Sequence, residues 1–384
     1  MSCKRHNTAT PMSELPANLT PVREAHVFDQ ARLADYMKAN VEGFRAPLKI
    51  LQFEGGQSNP TFHLTDGGSR MYVLRKKPPG KLLPSAHQVD REYRVIKALS
   101  DHTDVPVPKP YALCQDDGVI GTAFYIMEFL PGRIFADHRM QGVSPADRGQ
   151  IFDSMNDVLA RLHNVDYRKI GLGDYGREGQ YIQRQVARWS SQYDLARTEH
   201  IEAMERLIAW LPAHVPPGDE VALIHGDYRP GNVLLHPTEP RLVAVVDWEL
   251  STLGHPLVDL AHHALLYHTG PEDLGAFGDS APPEGIPDVS TYLDLYCAHA
   301  GRIACLRCAS VYVIFRSSKN CRRSGMPYFS IAMRSIPSPQ AKPWYSLGSM
   351  PQLRSTLGCT MPQPKISSQS SPSPKRISPP LREH

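Results

Sequence analysis

The chain is poor in several features that would place it quickly. Its 384 residues hold seven cysteines, an odd number, with Cys3 and Cys114 isolated and the other five crowded into the last quarter. No apolar segment of secretory type follows the early Lys4 and Arg5, so a disulfide scaffold is not expected and reduced thiols in the cytoplasm are. No window offers 18 uncharged apolar residues; the nearest, 303–315, is broken by Arg307 and too short to span, so no membrane partner is expected. Repeats of fixed period are missing too, which removes the solenoid classes. The body also lacks a basic surplus. The formal net charge is +3, yet residues 317–384 hold ten Lys/Arg and one acid, leaving 32 bases and 38 acids in the first 316. Phosphate backbones need a concentrated basic face, so a specific nucleic-acid partner is not expected.

What is present suffices for a core. Hydrophobic residues make up 41%, and the length suits one bilobed domain or two of medium size. Within residues 26–40, Val27, Leu33, Ala34 and Met37 recur at helical spacing and predict a short leading helix. From Ile50 the period drops to two. Residues 50–53, 61–65 and 71–74, separated by the turn-rich 54–60 and by Asp66-Gly67-Gly68, predict antiparallel hairpins. Ser85 can cap a helix whose stripe runs through Val89, Glu92, Tyr93, Ile96 and Leu99, with Pro106 and Pro108 ending the region. Glu92 therefore lies on the buried face, where an unpaired carboxylate is costly. Strands 111–114 and 123–128 flank the turn Asp116-Asp117-Gly118, and Pro131-Gly132 marks a lobe boundary. Stripes through Ile151, Met155, Val158, Leu159 and Leu162, and through Ile201, Met204, Leu207, Ile208 and Leu211, predict a mainly helical second lobe. Three short apolar runs inside it, 221–224, 233–235 and 242–246, read as small strands presenting loops.

The strongest chemical signal is His225-Gly226-Asp227-Tyr228-Arg229-Pro230-Gly231-Asn232, followed past a strand by Asp247 in Val245-Val246-Asp247-Trp248-Glu249. An Asp five positions before an Asn, then a strand and a second Asp, has the spacing of a phosphotransferase catalytic loop. A carboxylate must position an attacking hydroxyl and take its proton, which suits Asp227; hard oxygens must hold Mg²⁺ on nucleotide phosphates, which suits Asn232 and Asp247. Asp, Gly and Asn also fill plain surface turns. The upstream residues decide between the two. Gly55-Gly56-Gln57-Ser58-Asn59, between strands, can fold backbone N–H groups over phosphates. Arg75 ends a strand where a cation would hold those phosphates, and the inward Glu92 is placed to pair with it.

In this order the residues resemble the aminoglycoside phosphotransferase and choline kinase superfamily, most of all the branch whose kinase domain is fused, in some animal proteins, to an acyl-CoA dehydrogenase. The stretches that carry the resemblance are FEGGQSNPTF (53–62), YVLRKKPPG (72–80), QVDREYRVIKAL (88–99), YIMEFLPG (125–132), 223–235 and 246–261. It covers about residues 48–316 and implies an α+β, protein-kinase-like bilobed fold with an antiparallel-sheet N-lobe and a mainly helical C-lobe. The implied chemistry is phosphoryl transfer from ATP, with Mg²⁺, to a hydroxyl of a small molecule. Aminoglycoside, choline-like and hydroxyacyl acceptors all stay open. Position by position, the resemblance implies Arg75 as phosphate cation, Glu92 as its partner, and Glu128, Phe129 and Leu130 as the hinge beside adenine. It further implies Asp227 as base, Asn232 and Asp247 as metal ligands, and Asp259 as a buried helix acid bracing the catalytic loop. There are departures: Arg75 stands where many relatives have Lys, Gly231 where Asp is frequent, and His255 where relatives commonly carry Asp. The expected organisation is a flexible N-terminus (1–25), a nucleotide-binding N-lobe with its leading helix (26–130), a catalytic C-lobe (131–316) and a tail (317–384).

That tail holds 15 Ser and 11 Pro in 68 residues with no lasting apolar period, a composition expected to be disordered. The resemblance fades beyond Arg302 and is gone after Arg316. Such a Ser/Pro/Arg-rich stretch reads either as out-of-frame or alternatively spliced sequence foreign to the family, or as an ordinary basic tail with Ser-Pro sites such as Ser338 and Ser371. Two functions therefore remain: a small-molecule kinase, or a truncated or pseudokinase product whose incomplete C-lobe supports little transfer. Other signals weigh less. Gly171-Leu172-Gly173-Asp174-Tyr175-Gly176 spells a dinucleotide fingerprint, but no strand leads into it, so a loop is expected. Gly80-Lys81 lacks the earlier glycine of a Walker loop. Cys305 and Cys308, with Cys297 and Cys321, supply one tight pair where structural zinc takes two. His262, His263 and His268 are expected on a helix surface.

Overall fold

The segments with period two pair into one antiparallel sheet. In the computed structural model, which describes residues 15–54, 59–78, 88–215, 218–267, 277 and 281–301, that sheet has six strands in the order β1-β2-β3-β4-β6-β5. They are β1 (Leu19–Thr20), β2 (Lys49–Phe53), β3 (Thr61–Thr65), β4 (Met71–Lys76), β5 (Pro110–Cys114) and β6 (Phe124–Glu128). Successive side chains leave opposite faces of a strand. Tyr72, Leu74, Phe124 and Ile126 thus pack with Leu33 and Met37 of α1 (Gln30–Asn40). Val73, Tyr125 and Met127 turn the other way, toward α2 (Val89–His102), and join a core that continues into the helical half. Arg75 follows Val73 by two and lies opposite Tyr125 in the β4–β6 register, which puts it on the α2 face.

Several boundaries differ from expectation for local reasons. Asp29 accepts the N–H groups of Ala31 and Arg32, so α1 starts at Gln30 and Val27 is left outside it, 67% exposed. The N-terminal segment expected to be flexible up to residue 25 contributes β1, where Leu19 pairs with Phe53, and the Arg23 N–H donates to Gln52 Oε1 at 3.0 Å. Asp116 accepts from Gly118 N–H and opens a one-turn helix, α3 (Asp117–Ile120), where a plain turn was expected. The proposed cap Ser85, the loop residues Gly55, Gly56 and Ser58, the residues Cys305, Cys308, Cys321 and His268, and the tail 317–384 lie outside the described residues.

The second half is built on α4 (Pro145–His163), α5 (Tyr181–Ala196), α6 (Glu202–Trp210), α7 (Leu257–Ala264) and α8 (Val289–Ala300). Ser144 caps α4, with Pro145 in its first turn, and Ile151, Met155, Val158, Leu159 and Leu162 are buried as the stripe predicts. Asn156 Nδ2 donates to the carbonyl of Tyr292 at 2.8 Å and joins α4 to α8. The three short apolar runs form β7 (Ala222–Ile224), β8 (Val233–Leu235) and β9 (Leu242–Val245). β8 pairs with β9, and β7 pairs with β10 (Thr252–Gly254), three residues too short to show a period. The described residues all fall in one compact unit, and no helix among them is long and apolar enough to cross a membrane.

Candidate active site

Strand register and helix period bring opposite charges to one point. Arg75 Nε lies 2.9 Å from Oε2 of Glu92, which α2 holds in the interior at 1% exposure. The Glu92 carboxylate also accepts from Tyr125 Oη at 3.0 Å and from Asn59 Nδ2 at 2.7 Å. The far arm of the same guanidinium, Nη2, reaches Asp247 Oδ1 at 2.5 Å and Glu249 Oε2 at 3.5 Å. Burial works against the charge on Arg75, but Glu92, with Tyr125, Asp247 and Glu249, outweighs it and holds its pKa above the ordinary value. One planar fork thereby links the sheet, α2 and a loop of the helical half, a geometry that a point charge cannot copy.

The loop between β7 and β8 carries the second cluster. Gly226 has φ +84°, and a Cβ there would fall 2.5 Å from the carbonyl oxygen of Leu250, so the turn admits only glycine. Asp259 on α7, wholly buried, accepts the N–H groups of His225 and Gly226, each at 2.7 Å, and lies 3.2 Å from His163 Nε2. Burial pushes the Asp259 carboxyl up, yet the hydrogen bond and charge of His163, with His225, hold it below its usual range. His225 Nε2 contacts the carbonyl of Val246 at 3.0 Å while its Nδ1 accepts from Asp227 N–H at 3.2 Å, which fixes the tautomer. Asp227 then projects from a buried base toward solvent, its side chain 21% exposed. Asn232 Nδ2 donates both to Asp227 Oδ2, at 2.7 Å, and to the Asp227 carbonyl, at 3.0 Å. That commits the amide nitrogen and leaves Asn232 Oδ1, with the Asp247 carboxylate, as hard oxygen donors of the kind Mg²⁺ takes. Asp247 itself sits at φ +68°, a left-handed conformation that Asp tolerates better than most residues.

The structure gathers Arg75, Glu92 and Asp247 at one guanidinium and Asp227 with Asn232 in one loop. Glu128 ends β6 with its N–H on the Lys109 carbonyl at 2.8 Å, Phe129 packs edge-on to His63 at 4.8 Å between ring centroids, and both Phe129 and Leu130 are half-buried. The Asn59 side chain, in the loop whose backbone N–H groups are expected over phosphates, is buried and turned onto Glu92, because a carboxylate in the interior needs every donor within reach. One expectation needs correction. His262 and His263 are not on a helix surface: His262 is 9% exposed and His263 fully buried, since α7 is covered on both sides. The residues missed were Tyr125, which strand alternation places opposite Arg75, and Glu249, two positions beyond Asp247. His163 carried no local signal, and His262 was expected on a helix surface. The glycine run 171–176 is a loop, as expected, and the Gly171 carbonyl accepts from Arg94 Nη2 at 2.8 Å.

A protein-family model, "Phosphotransferase enzyme family", matches residues 49–282, and the chain belongs to that family, which makes it a phosphotransferase by class. Acyl-CoA dehydrogenase family member 11 of Homo sapiens is 45% identical over 294 residues, covering 74% of this chain and 37% of that protein. Acyl-CoA dehydrogenase family member 10 of Mus musculus is 44% identical over 288 residues, covering 74% of this chain and 27% of that protein. The chain therefore spans roughly a quarter to a little over a third of the length of these curated relatives. Among solved structures, a Ralstonia eutropha protein provisionally described as an aminoglycoside phosphotransferase aligns with TM-score 0.69 and 44% identity, covering 80% of this chain and 94% of that one. Aminoglycoside phosphotransferase APH(4)-Ia, in a ternary complex with ADP and hygromycin B, aligns with TM-score 0.53 at 15% identity, over 79% of this chain and 95% of that one, and shares the fold.

Proposed function

We propose that the chain transfers the terminal phosphoryl group of ATP to a hydroxyl of a small molecule, with Asp227 as catalytic base. The observation that carries this reading is the convergence of Arg75, Glu92 and Asp247 on one guanidinium beside a loop in which Asn232 grips the Asp227 carboxylate. The nucleotide would lie between the sheet and the helical half, near Phe129 and Leu130, with Arg75 countering phosphate charge. Mg²⁺, held by Asn232 Oδ1 and Asp247, supplies charge neutralisation at the phosphates when bound. In the reaction the acceptor oxygen forms a bond to the terminal phosphorus, the bond to the bridging oxygen breaks, ADP leaves with the electron pair, and the hydroxyl proton passes to Asp227. Asn232 keeps that carboxylate turned toward the acceptor and hydrogen-bonds its backbone, so the base meets the hydroxyl in one orientation.

Replacing Asp227 with Asn tests the assignment. Turnover should fall by about 100-fold or more, while MgATP still raises the unfolding temperature as it does for the unmodified chain. Turnover that survives the substitution would remove Asp227 from the role of base.

A further inference from the structure

The two oxygens of the Asp227 carboxylate are gripped from different elements. Oδ2 accepts from Asn232 Nδ2 at 2.7 Å, with Arg229 Nε 3.4 Å away, and both partners belong to the catalytic loop. Oδ1 has a partner from outside the loop: Nε2 of His262, on α7, at 2.5 Å. The imidazole is nearly enclosed, with 10% of its side chain exposed. α7 is also the helix whose Asp259 accepts the loop N–H groups of His225 and Gly226. Residues three apart share a helix face. A single turn of α7 therefore presents an acceptor to the loop backbone at Asp259 and a donor to the loop side chain at His262. The adjacent His263 has separate work, stacking on Tyr292 with centroids 4.2 Å apart and planes 13° apart.

We propose that His262 is a positioning residue for phosphoryl transfer, an inference that rests on Asp227 being the base. An Asp carboxylate turns about two single bonds, and a hydrogen bond to one oxygen leaves it free to pivot. Asn232 on Oδ2 and His262 on Oδ1 together fix its plane. The imidazole Nε2–H donates, and the remaining lone pairs of the carboxylate are presented to the acceptor hydroxyl in one orientation. In the transfer step the acceptor O–P bond forms, the bond from phosphorus to the bridging oxygen breaks, and the proton goes to Asp227; His262 exchanges no atom. Its contribution is geometric, so it belongs in turnover rather than in nucleotide binding.

The test uses the full chain, MgATP, and water as the acceptor, with release of inorganic phosphate as the readout. In H262L, phosphate release at saturating MgATP should fall about 10-fold or more with KM for MgATP unchanged within about two-fold. H262Q, whose longer amide can place an N–H near the position of Nε2, should keep about a third of the rate or more. Both variants should keep the thermal shift with MgATP. If H262L does not fold, H262N replaces it, because its shorter amide stops short of Oδ1 and predicts the same fall. H262L within about two-fold of the unmodified chain, or H262Q as slow as H262L, overturns the positioning role and leaves the phosphotransfer reading standing. Unmodified protein no faster than D227N overturns that reading, and the role of His262 with it.

Discussion

His263 shows how one side chain acquires a property that its neighbours in sequence do not reveal. Enclosed between Phe152 and Tyr292, it meets no solvent, and burial, helped by the nearby His138 and His262, lowers its pKa to about 3 from an ordinary 6.5. The sign follows from proton uptake. Between pH 6.5 and about 3 the unfolded chain binds a proton that the folded chain refuses, so this residue costs stability as pH falls through that window. The slope is about 1.4 kcal/mol per pH unit, and above the window the penalty vanishes. His263→Phe keeps a ring against Tyr292 and removes the titration. Its urea midpoint should therefore depend less on pH between about 5 and 6.5 than that of the unmodified chain. An equally steep dependence in both proteins would show that His263 is not the titrating group. Glu92 makes the complementary case: its place on a buried helix face was plain in the sequence, because an acid inside an apolar stripe demands a partner. The partner Arg75 could be read from the end of a strand, whereas Tyr125 and Asn59 became partners only through strand pairing and burial.

At the scale of elements, α7 matters out of proportion to its eight residues. Asp259 satisfies two N–H groups of the loop between β7 and β8 and meets His163 of α4, whose Nδ1 lies 2.8 Å from Tyr296 Oη of α8. The loop is thus braced by three helices through one buried chain of polar contacts. Asp259→Ala leaves two buried donors without an acceptor and should cost about 3 kcal/mol or more, read from chemical unfolding. Amide exchange at residues 225–227 should accelerate by more than exchange in the sheet; uniform acceleration would show that Asp259 serves global packing instead. Elements with a strong period were legible: the hairpins of the sheet, α2, α4 and α6 all fell within a few residues of their expected positions. α5 escaped because few of its positions are buried, Ile182 and Val186 among them, so its stripe is thin. β10 escaped because three residues hold no alternation, and its pairing with β7 is a long-range contact.

At the scale of the whole molecule, the two halves are joined through Arg75, which contacts residues 172 and 174 positions away in the chain. A nucleotide bound between the halves would stabilise both, by about 2.7 kcal/mol when MgATP is present at 100 times its Kd. Arg75→Lys keeps the charge and loses the fork that meets Glu92 and Asp247 together. Calorimetry should show MgATP binding about 10-fold weaker in that variant, with a smaller thermal shift at equal nucleotide. Unchanged affinity would mean that the charge alone matters.

The amino-acid sequence by itself determined the chemical vocabulary of this protein and its order along the chain. The spacing of Asp227, Asn232 and Asp247, the strand-end Arg75 and the inward Glu92 are local facts, legible because turns, strands and helix stripes are written in neighbouring residues. Tertiary structure alone decided that Glu249 shares the guanidinium of Arg75, that Asn59 turns inward, and that His262 rests on the Asp227 carboxylate. Those contacts depend on how a helix and a loop distant in sequence pack against one another, and no periodicity along the chain records that distance.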